Sequence, residues 1–182
     1  MSRSTTIRPT PASSACSALF ALALLTLVSG CAGYGPGDLR PGASEAEVRA
    51  HMWGAPSDAG SLPGGGRWFD YARGPMGKHT YRLEFDASGR YTGARQLLTD
   101  ANFESIAVAM SPADVRARLG KPSETRVGWR GVGEVWSYRY EPPPPYCRWF
   151  QVWLVDGKVR EAGYAPDPIC EDKGDRDKDF IP

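Results

Sequence analysis

One pattern occurs twice in the chain, and any fold has to place both copies. The segment 42–57 returns as 109–123, with Trp53 as the only residue that lacks a counterpart. Each copy predicts a short helix with a signal at both ends. Ser44 and Ser111 are placed to accept hydrogen bonds from the free amides of a first turn, and Glu47 and Asp114, three residues on, complete a capping box. Pro112 suits a first helical position, where no amide is needed. Gly54 and Gly120 allow a left-handed exit, and Pro56 and Pro122 forbid continuation. Helices of roughly two to three turns are not stable alone. Val48 with Met52, and Val115 with Leu119, lie one turn apart and form an apolar stripe that needs a sheet to cover.

Strand text follows each helix. Arg67 to Ala72 reads as a strand, and from His79 to Asp86 the chain alternates. Tyr81, Leu83 and Phe85 face one side and Thr80, Arg82 and Glu84 the other, as in a half-buried antiparallel strand. Ala87-Ser88-Gly89 makes a turn and Arg90 to Leu98 returns. In the second copy Thr125 to Trp129 is extended, Glu134 to Glu141 is a strand, and Arg148 to Val155 pairs with Lys158 to Tyr164 across Asp156-Gly157. Asp100 to Ala107 adds a helical turn, with Phe103, Ile106 and Ala107 at helical spacing. The Gly64-Gly65-Gly66 run lacks the Lys-Ser or Lys-Thr of a phosphate loop and leads into a strand, so Ala59 to Gly66 reads as a flexible loop. Pro142 to Pro145 is read as a stiff connector in preference to a polyproline ligand. The expected fold class is therefore α+β: two tandem repeats, 39–99 and 100–168, each a short capped helix on an antiparallel β-meander. The charged segment 169–182 is read as disordered.

The first thirty residues read as a targeting segment. Arg3 and Arg8 form a basic lead without acids, and Ala18 to Val28 is an apolar run of signal-peptide length, short for a membrane span. Val28-Ser29-Gly30-Cys31 resembles the bacterial lipobox, in which the Cys is acylated and becomes the mature N-terminus. Ordinary secretory cleavage and a retained anchor helix are the competing readings. Ala32 after the Cys resembles an outer-membrane address, and 31–38, rich in Gly and Pro, reads as a tether. Loss of Met1 to Gly30 removes two of 22 basic residues and none of 21 acids, so the mature chain is near neutral. It carries no electrostatic footprint for nucleic acid.

With the signal gone, Cys147 and Cys170 remain as a pair beside Cys31. In an exported compartment a disulfide between them is the preferred reading, against two separate buried thiols. Their spacing matches no metal or redox motif, and no cofactor is expected. His51 and His79 have no Ser or Cys partner in sequence, so solvated positions are preferred to a catalytic role. A binding face has a better case. Phe150, Val152 and Leu154 suit a core, which turns Trp149 and Trp153 to the opposite face, and Trp136, Tyr138 and Tyr140 share one face of the preceding strand, with Arg139 and Arg148 near in sequence. Aromatics with Arg have the composition of binding hot spots; filling the second repeat's core is the other reading.

These residues resemble the BamE (SmpA/OmlA) family of small outer-membrane lipoproteins. The likeness rests on the lipobox, on Met110-Ser111, Val115, Gly120-Lys121-Pro122 and Trp136-Ser137-Tyr138, and on their counterparts Gly42-Ala43-Ser44, Val48, Gly54-Ala55-Pro56, Trp68 with Tyr71, and Phe85 with Gly89. The family typically carries one such unit, and two in tandem are similar in architecture to the β-lactamase inhibitor protein, whose helices pack on one side of a curved antiparallel sheet. The resemblance implies a lipid-anchored, periplasm-facing outer-membrane protein with a non-enzymatic protein-binding role, in β-barrel assembly or envelope integrity. The alternatives are an inhibitor-like module for a periplasmic or secreted enzyme, and an envelope enzyme using His51 or His79.

Overall fold

The computed structural model describes residues 34–74, 77–142 and 146–170. The targeting segment with Cys31, most of the proline connector and the charged segment from Glu171 onward lie outside them. The fold is α+β: two four-stranded antiparallel meanders, one per copy of the repeated pattern, each with its own helix. In the first, α1 (Glu45–Met52) is followed by β1 (Asp58–Ser61), β2 (Arg67–Arg73), β3 (His79–Phe85) and β4 (Tyr91–Gln96). A short linking helix, α2 (Asp100–Glu104), leads to α3 (Pro112–Leu119), β5 (Glu124–Val127), β6 (Glu134–Arg139), β7 (Arg148–Val155) and β8 (Lys158–Pro166). The sheets have the orders β1-β2-β3-β4 and β5-β6-β7-β8 and remain separate.

Both capping boxes form. Ser44 Oγ accepts from the Glu47 amide at 3.3 Å and donates to its carboxylate at 2.6 Å. Ser111 and Asp114 repeat this at 3.2 and 2.6 Å. The serine hydroxyls hold both carboxyls below their ordinary range. Ahead of each helix the chain also pairs with the start of the fourth strand: Tyr91 N–H reaches the Ala43 carbonyl at 2.9 Å, and Val159 N–H reaches that of Met110 at 2.9 Å. The duplication thus fixes strand contacts as well as helix ends.

Val48 and Met52 pack on Phe69, Tyr71, Leu83, Phe85 and Tyr91. Val115 and Leu119 do the same in the larger second core, where Phe103 of α2 stacks on Phe150 with centroids 4.6 Å apart. Each fully buried side chain of this size contributes about 1.5–3 kcal/mol, which is why helices of eight residues persist.

Two local expectations are corrected. The segment read as a flexible loop, Ala59 to Gly66, holds all of β1 but its first residue, and Asp58 to Ser61 pair with Asp70 to Arg67. Its Asp-Ala-Gly-Ser text has little strand propensity, and backbone pairing along an edge supplies what side chains do not. Gly60 is required because a Cβ there would stand 2.5 Å from the Trp68 ring. The strand β3, read as half-buried, is covered on both faces: Arg82 and Thr80 are buried as fully as Leu83 and Phe85.

Trp53 changes how the first helix ends. In the second repeat the Tyr138 hydroxyl donates to the Gly120 carbonyl at 3.3 Å. Its counterpart Tyr71 is buried without a hydrogen-bond partner, and Arg73 takes the carbonyls of Met52 and Trp53 instead. Burial pushes both phenols up in pKa. Tyr138→Phe is therefore expected to cost about 1 kcal/mol in urea unfolding, while Tyr71→Phe is neutral or slightly stabilising, because it removes an unpaired buried group. Equal losses would count against the asymmetry.

Candidate functional site

The outer face of each sheet, opposite its helix, begins with the same construction. Ser57 and Ser123, the last residues of the repeated pattern, each bond to the second strand of their sheet: Ser57 N–H to the Asp70 carbonyl at 2.7 Å, and Ser123 N–H to that of Ser137 at 2.9 Å. Beyond this the two faces differ.

On the first sheet Asp70 and Arg82 are cross-strand partners and form a two-point ion pair, with both N–H···O distances 2.7 Å. The same guanidinium donates to the carbonyls of Ala117 at 2.8 Å and Arg116 at 3.3 Å, in the last turn of α3, and lies 3.9 Å over the Trp68 ring. A cation at a helix C-terminus answers both its unpaired carbonyls and its dipole. Gly120 allows the approach: at φ 73° it turns the chain, and a Cβ would stand 3.2 Å from Asp70 Oδ2. Burial raises the Asp70 carboxyl, and the Arg82 guanidinium pulls against it. The first outer face is thus a seat for the end of the second repeat's helix.

On the second sheet the equivalent cross-strand pair is Ser137 and Gln151, a neutral pair joined at 3.0 Å. Here the face opens as a groove of ≈ 410 Å³, lined by Arg126, Val135, Gln151, Trp153, Glu161 and Gly163 among others. The end of β5 and the loop from it to β6 form its rim. Val127, Trp129 and Val132 are exposed there, Trp129 at 70%, with the Arg130 guanidinium 4.1 Å over the Trp129 ring. Contiguous exposed apolar side chains of this kind mark interaction surfaces in soluble domains.

The residues singled out in the sequence divide between core and surface. Trp136, Tyr138 and Tyr140 belong to the second core, not to a contact face. Trp136 pairs with Val152 and Tyr138 with Phe150, so both stand on the α3 side. Trp149 points outward but is only 5% exposed, with Arg139 4.8 Å over its ring. Arg139 is itself held by Asp167 at 3.1 Å and Glu124 at 3.5 Å. Arg148 donates to the Tyr140 hydroxyl at 2.8 Å and lies 4.0 Å over Tyr164. Burial, with the Asp100 hydrogen bond, pushes the Tyr164 phenol up to about 12. Of the seven proposed contact residues only Trp153 lines the groove, its indole N–H bonded to the Val132 carbonyl at 2.9 Å. Trp129 was legible only as the end of an extended segment. Its signal was the Gly128 to Gly133 context, since a Trp inside a glycine-rich turn has no strand to bury it.

Cys147 and Cys170 are paired, with Cα atoms 6.2 Å apart, within disulfide span. Both histidines contact the segment that leads into the first repeat: His79 Nδ1 lies 2.6 Å from the Tyr34 hydroxyl and His51 Nε2 lies 3.3 Å from the Gly35 carbonyl. Among the described residues, no three His, Cys, Asp or Glu side chains gather as a metal site.

No protein-family model matches this chain, and no curated protein sequence matches it. Among solved structures it is similar to a candidate β-lactamase inhibitor protein from Streptococcus mutans, at 12% identity and a TM-score of 0.30, over 80% of this chain and 94% of that one. It is also similar to an extracellular protein with an SCP domain from Bacillus anthracis strain Ames, at 11% identity and a TM-score of 0.27, over 94% of this chain and 51% of that one. At such scores neither likeness bears on function.

Proposed function

We propose that this chain is a lipid-anchored outer-membrane lipoprotein facing the periplasm, whose work is protein docking and not catalysis, in the manner of the BamE family. The observation that carries the docking role is the groove on the second sheet. Its counterpart on the first sheet receives a helix end inside the chain, and the second is, among the described residues, open, aromatic and rimmed by exposed Trp129. Such a face offers large aromatic contacts, with Arg126 and Glu161 in its lining as the charges that a partner would have to answer. The lipobox sequence at Cys31 supports the anchor, and an oxidising periplasm would close Cys147 and Cys170 as a disulfide.

Radioactive palmitate is expected to label the wild type and not Cys31→Ser; an unlabelled wild type would remove the anchor. Capture from crosslinked envelopes is expected to recover protein partners with the wild type and to lose them with Trp129→Ala/Trp153→Ala, whose fold is checked by circular dichroism. Barrel-assembly components in the capture support the family role, whereas a hydrolase supports the inhibitor alternative. Partners retained by the double variant would overturn the groove as the docking face.

A further inference from the structure

Among the described residues the groove on the second sheet is unfilled, and the end of α1, bonded by Arg73, leaves Trp53 exposed. The last turn of α3 rests on the first sheet, where a Cβ on Gly120 would stand within 3.3 Å of Asp70, Thr80 and Leu97. α1 is the duplicate of α3, yet its own exit glycine, Gly54, has nothing within 4 Å. The extra residue at that end, Trp53, is 78% exposed and held at φ 51°. A bulky residue in the left-handed region is costly, and an exposed indole is costly again; Arg73 bonds to the Met52 and Trp53 carbonyls but leaves the indole itself exposed. The groove on the second sheet is the duplicate of the seat that α3 uses. It differs in having a neutral Ser137 and Gln151 where the first sheet has its ion pair, and in having Gly163 and Ala165 along one side, which leaves room for a large side chain.

We propose that the groove binds the α1 end of a second copy of this chain, with Trp53 of that copy inserted between Trp153 and β8, so that copies associate head to tail. The contact repeats between molecules what α3 and the first sheet already make within one. Each copy offers one anchor and one seat on different surfaces, so the interface is heterologous and does not close at two. Copies anchored on one membrane would form rows.

This inference rests on the groove being a docking face and names its occupant. Two variants separate the halves of the contact. Trp53→Gly removes the anchor and suits the positive φ. Gly163→Phe fills the groove from a position where an added Cβ meets nothing within 4 Å. Sedimentation of the full chain in density-matched detergent, from low micromolar to near-millimolar concentration, is expected to show wild-type mass rising beyond a dimer. Each variant alone is expected to stay monomeric. Mixed together they are expected to form a 1:1 complex that stops at two, because Trp53→Gly retains the seat and Gly163→Phe retains the anchor.

A wild type that is monomeric throughout overturns the proposal, as does Trp53→Gly that associates like wild type, or a mixture that fails to pair. If the wild type is monomeric while Gly163→Phe abolishes capture of envelope proteins, self-association fails and the docking face stands. If Gly163→Phe changes neither measurement, both fail.

Discussion

Arg82→Ala is expected to destabilise the protein by about 3–5 kcal/mol, seen as a lower urea midpoint with an unchanged denaturant slope. The size follows from what is left behind. Asp70 is fully buried and would lose both 2.7 Å contacts, while the Ala117 carbonyl would lose its 2.8 Å donor. Removing one member of a buried pair strands the other charge, which costs more than the pair itself is worth. Asp70→Ala/Arg82→Ala should therefore be less damaging than Arg82→Ala alone. Lysine should restore little, since one ammonium cannot make two contacts to the carboxylate and reach the helix carbonyls as well. The loss should also shrink as pH falls. Burial already raises the Asp70 carboxyl above its unfolded value, and without the Arg82 guanidinium only the weaker pull of Arg95 opposes that rise. The folded variant then binds a proton more readily than the unfolded chain, so acid stabilises it relative to neutral pH. An Arg82→Ala loss within about 1 kcal/mol, the range of an exposed pair, would show that the junction between the repeats is solvated.

Trp136→Ala should cost about 3–5 kcal/mol, while Trp153→Ala should cost about 1 kcal/mol, mainly the hydrogen bond to the Val132 carbonyl. The two tryptophans lie on neighbouring strands but on opposite faces of one sheet. Trp136 fills the core with Tyr138, Phe150 and Val152, and its indole N–H is buried without a partner. Trp136→Phe should accordingly be much milder than the alanine change, since it keeps most of the volume and removes the unpaired donor. Trp153 lines the groove, so its alanine variant should lose partners while staying folded. Circular dichroism during urea unfolding gives the stability readout, as fluorescence would change with the residue removed. Comparable losses for both alanine variants would place Trp153 in the core and remove it from the docking face.

Much of the architecture was legible because the relevant forces are local. Serine, acid, glycine and proline at fixed offsets define both helices through bonds within one turn, and alternation along β3 and β7 follows from the pleat. Legibility failed where a side chain's surroundings come from far along the chain. Arg82 reads as a solvent-facing residue, since nothing nearby announces that Arg116 and Ala117 will lie over it. Trp136, Tyr138 and Tyr140 read equally well as core or as contact surface, and the choice depends on register with β7. β1 was missed because Asp58 to Ser61 has no strand propensity of its own and is specified by Trp68 and its neighbours.

The candidate groove illustrates the same division. Trp153 is predictable as an outward residue once Phe150, Val152 and Leu154 are assigned to the core. Trp129, Val127 and Gly163 join it only through the pairing of β5 with β6 and β7 with β8.

Residue order alone settles that there are two capped helices, where each begins and stops, that each needs a sheet, and that Trp53 has no twin. These follow from hydrogen bonds and steric limits that span only a few residues. Only the tertiary structure decides that the first sheet's outer face is filled by the second repeat while, among the described residues, the second sheet's face stays open. That difference arises because a tandem array of two has one internal junction and two ends, and burial at the junction depends on contacts between residues more than thirty positions apart.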